Sequence, residues 1–284
     1  MACSNLLELI FSSQDKEILM NKTSEFRIIS IDGLESSSYS INNIDSNTDG
    51  ADVTYRKIEP REITIVGDVK KNCNEDINRR ILINFFNPKV DGNLSVTRNN
   101  DKKKISYVVS SFRFLNTKMS DFLQFEIILE CPNPYFESID NYGKDIANVT
   151  KQFAFPLAIV QNKGKIMGYK TYNNNATLDN DGDCETGCEI HIKALGNVVN
   201  PKIVLNDKYI LVNTTMNIND ELVINTNQRK KSVKLNGVNI IQRIDRNSSF
   251  FNLAVGSNIM SYESTEGYEN MEVNIYYSKK YLGV

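Results

Sequence analysis

One segment of this chain is helical in pattern and almost everything else is not, and that contrast limits the folds open to it. Residues 74–86 place Ile77, Ile81, Leu82, Phe85 and Phe86 at helical spacing on one face, with Arg79 and Arg80 outside the stripe. Asn74 stands where a helix cap is needed, and Glu75 and Asp76 fall in the first turn, where the helix dipole favours acids. Asn87-Pro88 stops the helix, because proline disfavours helical geometry in the residue before it. Around this segment the pattern is period two, clearest at residues 26–31, 62–66 and 122–129, with Asn, Asp and Gly clusters between the runs. A lone apolar-faced helix among strands must cover a sheet. The expectation is a mainly β protein whose N-terminal half is a β-barrel or sandwich with one packed α-helix.

Asp49-Gly50 and Asp91-Gly92 are hairpin signals, and a further hairpin is expected around a tip at residues 99–104. Cys131-Pro132-Asn133-Pro134-Tyr135-Phe136 carries two prolines in three positions and ends regular structure, which divides the chain into domains 1–136 and 137–284. The second half reads as short strands, among them 154–160, 168–172, 188–194, 221–225, 232–235, 240–244, 251–255 and 271–277. Asn236-Gly237 is its strongest turn signal, and the spacing suggests a β-sandwich.

Composition argues against several functions. Lys and Arg number 33 against 35 Asp and Glu, a net charge of -2, so no basic field for nucleic acid is present. The basic clusters Lys102-Lys103-Lys104 and Arg229-Lys230-Lys231 read as solvated hairpin tips. Residues 1–10 lack an export signal, and the longest apolar stretch, 153–160, is well short of a membrane span and contains Pro156. Synthesis in a cytoplasm and no membrane partner are therefore expected.

The 5 cysteines (Cys3, Cys73, Cys131, Cys184, Cys188) are odd in number and scattered, unlike a disulfide framework. Cys184, Cys188 and His191 are too few for a tetrahedral zinc site, and the run 184–188 reads as a turn. Asp179, Asp181 and Asp183 alternate as calcium ligands do, but Cys184 and Ile190 stand where an EF-hand needs Gly and Glu. His191 is the only histidine, and in Glu189-Ile190-His191-Ile192-Lys193 it alternates to the solvent face with Glu189 and Lys193, not to a catalytic centre. No phosphate-cradling Gly-rich loop is present. No catalytic, cofactor-binding or metal residue is assigned, and the chain is not expected to be an enzyme.

Ordered motifs point to a family. Gly67-Asp68-Val69, Arg79-Arg80-Ile81-Leu82-Ile83-Asn84-Phe85-Phe86-Asn87-Pro88 and Gly92-Asn93-Leu94 resemble the N-terminal domain of phage distal tail proteins. The strand 61–65 and the Cys131-to-Phe136 stretch fit the same pattern. Asn180-Asp181-Gly182-Asp183, Thr186-Gly187, Asn200-Pro201 and Phe250-Phe251-Asn252-Leu253 resemble its C-terminal sandwich.

The resemblance implies a tail-tube-like N-terminal domain that forms a ring, usually a hexamer, at the virion tail tip. It implies a galectin-like C-terminal β-sandwich that serves as an attachment point. The implied partners are copies of itself, the tail tube protein, a tail-associated hub protein, and receptor-binding or baseplate proteins. The Asp-, Ser- and Asn-rich stretch 32–52 is then either an inter-subunit arm or an ordinary hairpin. The alternative function is a carbohydrate-binding module recognising a host glycan. Against it stand the absence of Trp and the ordinary packing role of Tyr in strands, with Tyr169, Tyr172, Tyr262, Tyr268, Tyr276 and Tyr277 as the stock of rings.

Overall fold

Alternating side chains close the first half into a barrel. The computed structural model describes residues 7–35, 37–45, 49, 51–70, 75–115, 123–139, 142–145, 148–151, 168–171 and 175–284. It divides into two units, residues 1–139 with 280–284, and residues 140–279. The first contains β1 (Leu7–Ser13), β2 (Lys16–Met20), β3 (Phe26–Asp32), β4 (Tyr39–Asp45), β5 (Ala51–Ile58), β6 (Arg61–Val69), α1 (Glu75–Phe85), β7 (Gly92–Arg98), β8 (Asp101–Phe114), β9 (Gln124–Cys131) and β10 (Phe136–Ser138).

The order β8-β7-β1-β2-β3-β6-β9 is closed by pairing of β9 with β8. Every second residue points inward: Ile63, Ile65 and Val69 of β6 meet Phe125, Ile127 and Leu129 of β9 in one core. Gly67 lies among them because a Cβ there would stand 2.5 Å from the Phe125 ring and 2.7 Å from the Arg27 carbonyl oxygen. Gly67→Ala should therefore cost about 1–3 kcal/mol in denaturant unfolding, since the backbone carbonyl cannot step aside as a side chain can.

The helix stops near the expected proline, and its capping residue Asn74 lies outside the described residues. Its buried face differs from the expected one. Asn78, Leu82 and Phe85 follow one another at helical spacing into the barrel, while Ile77 and Ile81 are 55% and 42% exposed. Asn78 takes a central place in the contact face because its amide donates to Glu25 at 2.7 Å. That centres the buried face one residue away from the isoleucines. Phe86 follows the helix into an aromatic cluster, 5.3 Å from Phe11, 5.1 Å from Phe85 and stacked at 5.6 Å on Phe112. The Arg79 guanidinium lies 4.5 Å from the centre of the Phe114 ring.

Asn99 and Asn100, both at positive φ, form the two-residue turn between β7 and β8. The lysines expected at a solvated tip belong instead to β8. Lys103 reaches back to Asp101 at 3.2 Å, to the Gly283 carbonyl at 3.2 Å, and to the Tyr281 ring at 4.2 Å.

The second unit contains β11 (Tyr142–Asp145), β12 (Asn148–Lys151), β13 (Gly168–Thr171), β14 (Asn175–Asn180), β15 (Glu189–Ala194), β16 (Val198–Val199) and β17 (Lys202–Leu205). It continues with β18 (Lys208–Leu211), β19 (Thr215–Met216), β20 (Glu221–Asn225), β21 (Ser232–Leu235), β22 (Val238–Asn239), β23 (Gly256–Glu263) and β24 (Met271–Tyr277). Sheet β11-β24-β15-β20-β21-β22 and sheet β14-β23-β17-β18 share one core, with Ile190, Leu222 and Val273 from the first and Leu178, Ile203 and Met260 from the second. That is a β-sandwich.

Asn236-Gly237 makes the β21–β22 turn at positive φ. Residues 240–244 are a short turn of 3-10 helix, Ile241–Arg243, and not a strand. Within 251–255 only Leu253 bridges, to Thr186. The strand expected at 154–160 lies outside the described residues. The last strand, β25 (Lys280–Tyr281), pairs with β10 in the first unit.

Candidate functional site

Among the described residues, strands β4 and β5 pair only with each other, so they form a two-stranded ribbon apart from the barrel sheet. It leaves the barrel between the end of β3 and the start of β6. Residues opposite one another in the register share a face, which puts Tyr39 and Ile41 with Arg56 on one side, and Tyr55 with Asn42 on the other. Tyr39, Ile41, Ile44, Val53 and Tyr55 are all exposed. An isolated two-stranded ribbon is marginal in water, and large apolar side chains on both faces are a form suited to burial against something else.

The barrel wall has one thin seam. β2 meets β3 at a single residue pair, Met20 opposite Phe26, and in parallel, whereas every other seam is an extended antiparallel ladder. Among the described residues the β3 edge facing β2 has no further ladder partner, and Ile29, at a bulge in this strand, is exposed. Unpaired strand edges are templates for another chain.

The root of the ribbon is fixed by a buried cation. Arg61, 1% exposed, donates from Nε to the Pro134 carbonyl at 2.9 Å, from Nη1 to the Gly33 carbonyl at 2.6 Å, and from Nη2 to the Leu282 carbonyl. Its guanidinium also lies 4.9 Å from the Phe136 ring centre, and burial pulls its pKa below the ordinary value. Gly33 sits at φ +87, where only glycine is comfortable, and a Cβ there would strike the Glu62 carbonyl oxygen at 2.1 Å. Three distant pieces of backbone thus meet at one side chain: the segment leading into the ribbon, the proline-rich stretch and the residues just after the last strand.

The candidate residues of the sequence lie elsewhere. His191 does point away from the core, and it is held between Glu189 at 2.9 Å and Glu221 at 3.0 Å, with the Tyr276 ring edge-on at 5.2 Å. Glu221 comes from the neighbouring strand, which local alternation cannot reveal. Asp181 forms an ion pair with Lys279, which lowers its pKa. Among the described residues no cluster of His, Cys, Asp and Glu is arranged to hold a metal. Tyr262 and Tyr277 are buried, Tyr268 and Tyr276 are exposed, and the side chains of Tyr169 and Tyr172 lie outside the described residues.

Burial pushes the Cys131 and Cys188 thiols up to about 12, and Cys188 also contacts the Thr226 hydroxyl at 3.6 Å. Neither should be alkylated by iodoacetamide at neutral pH in the native protein, whereas both should react in denaturant. Peptide mass mapping of the two samples checks this.

A family model described as the phage tail protein RIFT-related domain matches residues 13–131. A second, described as the C-terminal domain of the siphovirus-type tail component, matches residues 181–281. The chain belongs to the phage distal tail protein family.

Solved structures share the fold over nearly the whole length. The crystal structure of the SPP1 Dit protein, described as a paradigm of the hub adsorption apparatus in phages infecting Gram-positive hosts, matches with a TM-score of 0.67 and 15% identity. The match covers 97% of this chain and 99% of that one. A chain of the phage P2 baseplate, in its activated conformation with Ca, gives a TM-score of 0.57 at 11% identity, covering 98% and 99%. The same baseplate with Sr gives 0.56 at 10%, again covering 98% and 99%. No curated protein matches the sequence. This distal tail protein is a structural component of a phage tail, located at the tail tip or baseplate of the virion.

Proposed function

We propose that the protein forms a closed ring, a hexamer, that joins the tail tube to a hub protein, and that it does so without catalysis. In this reading the domain ending near residue 136 is the tube-like, ring-forming part. The second domain is a galectin-like platform that receives receptor-binding or baseplate proteins. The observation that carries it is the ribbon of β4 and β5, with apolar side chains on both faces and no sheet of its own to join. The thin seam between β2 and β3 supports it, since a ring of identical head-to-tail contacts offers a partner to every such edge. Nothing in such a role requires a reactive side chain. Light scattering on the purified protein is expected to give about six times the chain mass of 32.3 kDa, with a central hole in negative stain. A monomer that persists at every concentration, and in the presence of tube and hub proteins, would sink the reading.

One observation favours a second role for the sandwich. The Tyr276 ring is 40% exposed on the outer face of β24, beside His191, Glu189 and Asn225, which are linked by hydrogen bonds. An aromatic face ringed by planar polar groups suits a sugar. Binding to host cell-wall glycans on an array, lost in Tyr276→Ala, is the expected result. Silence of the intact protein across the array would remove this role and leave the scaffold.

A further inference from the structure

One short segment of the first unit ties the return of the chain to the root of the ribbon. Residues 280–284 are each half-buried, and β25 has only two ladder pairs, Phe136 with Tyr281 and Glu137 with Lys280. Past that ladder, three cations take three successive carbonyls. Arg61 donates to Leu282, Lys103 to Gly283 at 3.2 Å and Arg98 to Val284 at 3.1 Å. The same stretch meets residues 33–35, which lead from β3 toward β4. The Val284 amide donates to the Leu34 carbonyl at 3.2 Å. Gly283 passes so close to Glu35 that a Cβ would stand 2.5 Å from its carbonyl oxygen. Arg61 joins Leu282 to Gly33, and Arg98 lies 3.8 Å from the Glu35 carboxylate.

We infer that residues 280–284 are a strap that opens and closes on the native barrel, and that its docking fixes the direction in which β4 and β5 leave. Three observations carry this. The strap rests on a two-pair ladder and on half-buried hydrogen bonds that water can replace, the mark of a segment that opens before the long barrel ladders do. The root it holds has room to move, because residues 31–35 and Ser37 border a cavity of about 740 Å³. The docked state also carries a cost. Ser37 is 7% exposed and its hydroxyl has no hydrogen-bond partner, so release of the root would let water satisfy it. The coupling is reciprocal: whatever holds the ribbon in place tightens the strap, and whatever draws the strap away loosens the ribbon. The strap continues directly from residue 279, the end of the second unit, so a load borne by that unit reaches the ribbon along the chain.

The test follows hydrogen exchange of the whole chain by mass spectrometry, over the seconds and minutes before the barrel core exchanges at all. In the unchanged protein, peptides ending at residue 284 are expected to lose protection well ahead of β6 and β9. A strap as protected as those strands overturns the inference. Gly283→Val, whose side chain cannot pass the Glu35 carbonyl, should speed exchange at residues 37–45 and 51–58 about ten-fold, within the range usual for coupled sites. Arg98→Met removes one carbonyl donor and leaves the backbone alone, and should speed it about two- to five-fold. Peptides from α1, β15 and β20 should not change in that window. Faster exchange at 280–284 with the ribbon unmoved overturns the coupling. Equal acceleration across α1, β6 and β9 overturns it too, since the substitution would then merely lower the stability of the barrel. If Gly283→Val does not fold, Arg98→Met decides alone, and no change in the ribbon there is the overturning result.

Discussion

Arg61→Leu is expected to destabilise the barrel unit by about 3–5 kcal/mol. Removing the guanidinium leaves the Gly33, Pro134 and Leu282 carbonyls without their common donor. A buried acceptor left unpaired costs about 1–3 kcal/mol, and partial access of water to the three pieces brings the sum below the simple total. The melting temperature should fall by roughly 6–20 °C. Hydrogen exchange followed by mass spectrometry should show the loss in the first unit, centred on residues 31–35 and 132–136. Arg61→Lys should recover only part of it, because one ammonium cannot address three carbonyls in the plane that the fork provides. A melting curve unchanged by Arg61→Leu would mean that the carbonyls find water and that the clasp contributes nothing.

The second large effect is at Phe86. Phe86→Ala should cost about 3–5 kcal/mol, the range for an aromatic deleted from a packed core. It removes contacts with Phe11, Phe85 and Phe112 at once. Ile81→Ala, on the same segment and of similar hydrophobicity, should move monomer stability by no more than about 0.5 kcal/mol, because Ile81 is exposed. Parallel urea titrations of the two variants decide the matter. Equal losses would show that the helix buries the stripe read from spacing alone, and not the face centred on Leu82.

That contrast shows where a local pattern runs out. Helical spacing located the segment and its proline stop, because both are set by neighbours in the chain. It could not choose between two adjacent faces, because the choice depended on Asn78 finding Glu25, which stands just before β3 and far away in the chain. Strands β6 and β9 were legible because one face of each is buried along its whole length, so their alternation is unbroken. β1 and β2 were not, since full burial reaches only Leu9 and Phe11 in the first and Ile18 and Met20 in the second. The stretch 32–52 reads in sequence as either an arm or a plain hairpin, and its exposed apolar residues appear once β4 and β5 are paired. The role of Arg61 is not legible in the sequence. The residue shares the inward phase of Ile63 and Ile65, yet nothing local shows what could pair a buried guanidinium there, because its three acceptors come from positions far away in the chain. The same holds for Glu221 beside His191, a contact made by strand pairing.

The pairing of β10 with β25 has a consequence for how such proteins change. Phe136 lies opposite Tyr281 and Glu137 opposite Lys280, so the polypeptide departs from the barrel and comes back to it on neighbouring strands, about 5 Å apart. Topologically the sandwich is a cassette spliced into a turn of its host. Recombination that exchanged residues 140–279 for a different module, or for a few residues of tight loop, would leave every strand of the host in register. The inserted module is then free to be replaced without any redesign of the barrel that holds its two ends.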